Sequence, residues 1–146
     1  MFRLEKRFTF PMGHRLCKHD GACFNFHGHN YVVLVGLKST ILNKNDMIID
    51  FSHLKEELNA IFDVLDHAFM INKEDKEMVE KLQNADLKVI TVDYDPTAER
   101  MAEELYFAIQ AKLPKLRIKA ENSELCLDYV TIFENENSKA TFSEIA

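Results

Sequence analysis

The chain has no excess of basic residues, since 18 lysines and arginines stand against 24 aspartates and glutamates, giving a net charge of −6. A general nucleic-acid-binding surface is strongly basic, so this balance argues against a nucleic-acid partner. Any anionic ligand therefore has to bind in a local basic pocket.

Long apolar runs are also missing. No stretch reaches the length needed to span a bilayer, and residues 1–7 lack the apolar run and the cleavage site of a signal peptide. Cysteine is scarce as well, and three cysteines cannot all pair within one chain. We therefore expect free thiols, a cytoplasmic location and no membrane partner.

The length of 146 residues suits one domain spanning 1–146, with a flexible polar tail over about 135–146. Alternating and helical spacings of apolar residues predict the elements. Strands are predicted at 2–10, 29–38, 116–121 and 125–133, long helices from a cap at Ser52 and from a cap at Asp95, and a short helix and strand within 73–95. This order predicts an α+β fold, with a four-stranded antiparallel sheet and helices on one face. Its exposed edges favour a homo-oligomer.

A histidine pair, His27-Gly28-His29, stands where the second predicted strand begins. Side chains two residues apart in a strand point to the same face, so a strand that begins near His27 places the two imidazoles side by side. Two convergent imidazoles suit a transition metal, most commonly zinc, which needs at least one more protein ligand. His14 and Cys23 are both candidates for that ligand.

Cys23 has three interpretations: a small buried residue, a metal ligand, or a thiolate that acts as base or nucleophile beside a metal. Asp66-His67, at a predicted helix end, becomes a catalytic pair only if Cys23 lies close to it. Glu121 is either solvated or an acceptor for the N–H groups of a guanidine-like ring edge.

Taken together, these residues resemble the 6-pyruvoyltetrahydropterin synthase / 6-carboxytetrahydropterin synthase family. The matching segments, in chain order, are Phe8-Thr9-Phe10, His14-Arg15-Leu16, Cys23 with His27-Gly28-His29-Asn30-Tyr31, Ile49-Asp50-Phe51, Leu65-Asp66-His67, Pro96-Thr97-Ala98-Glu99, and Glu121 eight residues before Tyr129. The resemblance implies the tunnelling fold, in which trimeric barrels stack into a hexamer with active sites between subunits.

The resemblance also implies roles for the individual residues. The zinc ligands would be His14, His27 and His29, the catalytic residues Cys23, Asp66 and His67, and the pterin-anchoring glutamate Glu121. Thr97 and Glu99 belong to a family motif and are candidates for substrate binding, although a helix cap explains both.

Within this family we expect a lyase that cleaves 7,8-dihydroneopterin triphosphate to 6-carboxytetrahydropterin, acetaldehyde and triphosphate, on the route to queuosine. The alternatives are a 6-pyruvoyl synthase that eliminates triphosphate, and a zinc- or pterin-binding protein without turnover. Two departures from the family pattern bear on the product more than on the fold: Met70-Ile71 replaces a frequent Leu-Asn, and the segment 73–95 is long.

Overall fold

A computed structural model describes residues 1–145. The strands are β1 (Phe2–Arg15), β2 (His27–Ser39), β3 (Phe69–Asn72), β4 (Val89–Val92), β5 (Cys126–Asn135) and β6 (Ser138–Phe142). The helices are α1 (Phe51–Leu65), α2 (Lys76–Asn84), α3 (Ala98–Gln110) and α4 (Leu113–Ala120), with a 3₁₀ turn at Ala22–Phe24. The strands form one sheet in the order β4-β3-β1-β2-β5-β6.

A long antiparallel hairpin of β1 and β2 forms the centre of the sheet. Its register runs from Phe2 opposite Ser39 to His14 opposite His27. Because side chains alternate between the two faces of a strand, every second side chain of β1 and β2 points toward the helices. The buried side chains of that face are Phe8, Phe10, Met12, Tyr31, Val33, Val35 and Leu37.

Helices α1 and α3 cover this face. The ring of Phe62 on α1 stacks on Phe8 at 4.3 Å between centroids, and Tyr106 on α3 meets Phe142 on β6 at 5.2 Å. The predicted α+β class is therefore confirmed.

The sheet differs from the prediction in strand number and direction. It has six strands instead of four, and β3 pairs in parallel with both β1 and β4. Strands β3 and β4 are each four residues long. Periodicity over so few residues does not separate a strand of this sheet from a peripheral segment, because pairing partners decide the outcome.

The strand predicted at 116–121 was wrong, since these residues lie in α4 and its C-cap. Leu116, Ile118 and Ala120 alternate as in a strand, but Leu113, Leu116 and Ala120 also follow helical spacing. The helical set is buried and Ile118 is 77% exposed. Pro114 near the helix start favours this outcome, because proline is accommodated in a first helical turn.

Local details also differ from the expectations. Asp50, not Ser52, caps α1 and accepts a hydrogen bond from the Ser52 amide at 2.7 Å. Thr97, not Asp95, caps α3. In the segment expected to be a flexible tail, Ser138–Phe142 form β6, which pairs with β5.

No helix among residues 1–145 combines the length and hydropathy needed to cross a membrane.

Replacing Leu58 with alanine is expected to lower the free energy of unfolding by about 2–5 kcal/mol, because Leu58 on α1 is fully buried and a cavity would remain. Urea denaturation at fixed protein concentration measures the change. Val64→Ala in the same helix is the matched control, since Val64 is 57% exposed. Equal urea midpoints for the two variants would contradict the placement of α1.

Candidate metal centre and active site

Three histidines converge at the loop end of the central hairpin, next to residues 16–26 that connect its two strands. His14 lies at the end of β1 directly opposite His27 on β2, and alternation places His29 on the same face as His27. Each of the three offers a ligand atom, and these atoms all lie within 4.8 Å of one another. Three-imidazole sets of this kind bind zinc with a coordination position left open.

Two backbone carbonyls determine which ring nitrogens point into the cluster. Nδ1 of His14 lies 2.9 Å from the Pro96 carbonyl oxygen, and Nδ1 of His27 lies 2.8 Å from that of Asn25. Since a carbonyl oxygen only accepts, each Nδ1 carries the proton and each neutral ring presents an Nε2 lone pair. These two Nε2 atoms are 2.9 Å apart. Two lone pairs at that distance do not form a hydrogen bond, but both can bind a cation.

His29 completes this donor set. Its Nε2 is buried and has no hydrogen-bond partner among the described residues. Burial lowers the pKa of His29, although the charge of Glu134 opposes the shift. Burial, with smaller contributions from His27 and His29, lowers the pKa of His14 to about 4, against the Pro96 hydrogen bond. His14 and His29 are thus neutral near pH 7, the protonation state that binds metal. The residues present therefore fit a zinc ion.

Among the described residues, Cys23 lies outside the group of three histidines that could hold a metal ion. It sits in the 3₁₀ turn that precedes β2, where it is half-buried. Its backbone carbonyl accepts a hydrogen bond from the Leu16 amide at 3.0 Å, so the turn is tied to the end of β1. This placement suits a residue that acts beside a metal.

Asp66 and His67 follow α1 and form a pair, with Nδ1 of His67 2.9 Å from Oδ1 of Asp66. The side chain of His67 is 78% exposed, and its backbone amide donates to the Pro11 carbonyl at 2.8 Å. His67 lines a cavity of about 330 Å³ together with Gly28, His29 and Asn30. The Asp66-His67 pair does not belong to the group of three histidines that could hold a metal ion.

The three predicted substrate-binding residues lie in two places. Glu121 is the C-cap of α4, with φ of 50°, and its carboxylate forms an exposed ion pair with Lys44 at 2.9 Å. Thr97 caps α3 through a hydrogen bond from the Arg100 amide at 3.3 Å, and Glu99 is exposed in the first turn. These two residues start α3 beside Pro96, whose carbonyl orients His14.

The sequence reasoning missed Glu134, which the structure places near Tyr31 and the histidines. Phe133 on β5 pairs with Val32, so Glu134 lies on the face of Tyr31 and the histidines. Burial and the Glu134 charge both raise the pKa of Tyr31, whose buried hydroxyl has no partner among residues 1–145. A signal was present: Glu134 stands eight residues before Phe142, the same spacing as Glu121 to Tyr129.

Comparisons with known proteins agree on one family. A sequence model of the family described as 6-pyruvoyl tetrahydropterin synthase matches residues 3–144. A protein of Aquifex aeolicus named 6-carboxy-5,6,7,8-tetrahydropterin synthase is 30% identical, covering 98% of each chain.

Two solved structures share the fold over almost the whole chain. A protein of Wolinella succinogenes superimposes with a TM-score of 0.82 at 21% identity, covering 99% of this chain and 98% of its own. The 6-pyruvoyl tetrahydropterin synthase of Caenorhabditis elegans has a TM-score of 0.65 at 27% identity, covering 99% and 96%.

Proposed function

From the premise that the chain belongs to the 6-pyruvoyl tetrahydropterin synthase family, we propose that it is a zinc-dependent lyase acting on 7,8-dihydroneopterin triphosphate. The products would be 6-carboxytetrahydropterin, acetaldehyde and triphosphate, on the route to queuosine. The name of the Aquifex relative supports this reaction. The observation that carries the proposal is the convergence of three imidazole nitrogens, two with their Nδ1 atoms engaged by backbone carbonyls.

Each group in the site has a task in such a reaction. Zinc held by His14, His27 and His29 would supply Lewis acidity toward the hydroxyl and carbonyl oxygens of the substrate side chain. Cys23 would remove or return a proton there, since it lies in the turn beside β2. Asp66 would orient the His67 ring through Nδ1, leaving Nε2 to exchange the second proton.

The Asp66-His67 pair lies outside the group of three histidines, which supports active sites that are shared between subunits. Among the described residues, β6 pairs only with β5, and β1 before Gly13 pairs only with β2. Open strand edges of this kind are suited to pairing with another copy. A hexamer of two stacked trimers would bring the exposed His67 of one chain to the metal centre of its neighbour.

Free thiols at Cys17, Cys23 and Cys126 fit a reducing cytoplasm.

We assign the anchoring of the pterin ring to Glu134 in place of Glu121. Glu134 lies on the face of the metal centre, whereas Glu121 is engaged by Lys44 on the surface. Thr97 and Glu99 remain candidates for contacts to the rest of the substrate, because they adjoin Pro96.

Replacing Glu134 with glutamine is expected to raise KM by roughly tenfold to hundredfold, because a hydrogen bond to a charged group contributes about 1.5–3 kcal/mol. Steady-state kinetics on the pterin substrate measure the change. Glu121→Gln is the matched control and should leave KM unchanged. The reverse pattern would return the anchoring role to Glu121.

Mass spectrometry of the products tests the reaction itself. Incubation of the zinc-loaded protein with 7,8-dihydroneopterin triphosphate is expected to yield 6-carboxytetrahydropterin and stoichiometric acetaldehyde, and a chelator-treated sample should yield neither. A 6-pyruvoyl product is the second candidate, favoured by the family description and the Caenorhabditis elegans structure. That product would overturn carbon–carbon cleavage, and tight binding of intact substrate would identify a pterin-binding protein without turnover.

A further inference from the structure

Arg15, the residue after His14, does not face solvent. Its side chain is 12% exposed, and Nε lies 3.4 Å from Oδ2 of Asp75, whose side chain is also 12% exposed. Neither atom has a hydrogen-bond partner among the described residues. The two therefore form a largely desolvated ion pair.

The same guanidinium packs against the turn that carries Cys23. Its central carbon lies 4.1 Å from the ring centroid of Phe24 and 5.3 Å from that of Phe26. Planar guanidinium groups stack well on aromatic faces, and removal from water strengthens the attraction. Phe24 directly follows Cys23, so Arg15 contacts the turn immediately beside the thiol.

The carboxylate of Asp75 pairs with Arg15 and does not cap its own helix, α2. It occupies the N-cap position of α2, where an aspartate ordinarily accepts a backbone amide, but it makes no side-chain cap hydrogen bond. Asn72 holds this helix start in place: its carbonyl accepts from the Asp75 amide at 3.0 Å, and its side chain donates to Asp95 at 3.1 Å. The two hydrogen bonds of Asn72 thus fix the backbone that carries the Asp75 carboxylate next to Arg15.

We propose that Arg15 is a positioning residue for Cys23, and that the segment 73–95 supplies the counterion that keeps it in place. Asp75 holds the guanidinium against Phe24, and the Leu16 amide holds the Cys23 carbonyl at 3.0 Å. The turn is therefore fixed at the Cys23 carbonyl and at the next residue, Phe24. The long segment 73–95 thereby acts on the active site without contributing a group to the chemistry. The catalytic consequence rests on the proposed function, in which Cys23 moves a proton.

The test uses Asp75→Asn, which removes the counterion, and Phe24→Leu, which removes the aromatic face without leaving a buried charge unpaired. Both should bind zinc at the wild-type ratio per chain. Both should show faster amide hydrogen exchange over residues 16–26 and a changed alkylation rate at Cys23, with Cys126 in the same sample as reference. We expect kcat to fall about tenfold to hundredfold, the range for a slightly displaced catalytic group, with KM within about twofold.

Two further variants separate positioning from general destabilisation. Asp75→Glu retains the charge and should recover most of the lost kcat. Glu74→Gln is the matched control, because Glu74 joins the same two segments through an exposed ion pair with Lys18 at 3.3 Å, and it should behave as wild type.

Each outcome decides the matter. Unchanged exchange over 16–26 and unchanged kcat in both Asp75→Asn and Phe24→Leu would overturn the inference, as would an equal effect of Glu74→Gln. Exchange and alkylation do not require turnover. If the wild-type protein fails to convert the pterin substrate while these two variants still loosen the turn, the proposed function fails and the positioning of Cys23 stands.

Discussion

Replacing Cys23 with alanine is expected to abolish measurable turnover while zinc remains bound. The group of three imidazoles that could hold a metal ion does not include the thiol, so the variant should keep the wild-type zinc content. Loss of a positioned proton-transfer group costs about 10²–10⁴ in rate, and the loss should appear in kcat. Single-turnover kinetics with metal analysis of the same sample measure both quantities.

Cys126→Ala is the matched control for this variant, because Cys126 is a second half-buried free thiol that lies at the start of β5. It should retain turnover. A loss of zinc from Cys23→Ala would show instead that Cys23 is a metal ligand, which is the interpretation that the sequence leaves open. Retained turnover would remove Cys23 from the mechanism.

Replacing His27 with alanine is expected to remove zinc from the protein and turnover with it. The change deletes one of the two Nε2 lone pairs that face each other at 2.9 Å, and two ligands remain. Loss of an outer-shell partner alone costs about 10–100-fold in metal affinity, so loss of a ligand should exceed that range. Zinc content after dialysis and titration against a competing chelator measure the effect.

His53→Ala is the control for this second prediction, since His53 is exposed on α1 and lies outside the metal-binding group. It should bind zinc as the wild type does. Equal zinc affinity in His27→Ala would contradict the three-histidine site and would require a different donor set.

The hydrophobic pattern of the chain was sufficient to predict the central hairpin and the α+β class. Alternation over 2–10 and 29–38 determines which face of each strand is buried, and the same alternation places His27 and His29 on one face. Helical spacing likewise predicts the buried side of α1 and α3. These are local properties, because each depends on residues within a few positions of one another.

Where a local sequence pattern fits two different structures, the sequence alone did not distinguish between them. Residues 116–121 fit both a strand and the helix α4, and Glu121 and Glu134 both precede an aromatic residue by eight positions. Packing settles the first case, because the helix buries Leu113, Leu116 and Ala120 together. Strand pairing separates the two glutamates, since β5 lies beside β2 and carries Glu134 toward the histidine face.

By itself, the sequence determined the family, the class of fold and the set of histidines that offer ligands. Only the tertiary structure decided the ring tautomers, the placement of the Asp66-His67 pair outside the histidine cluster, and the ion pair of Arg15 with Asp75. The carbonyl that orients His14 is 82 residues away in the chain, and Asp75 is brought to Arg15 by the packing of a separate segment. Contacts of this range depend on how whole elements pack, and no short sequence period encodes them.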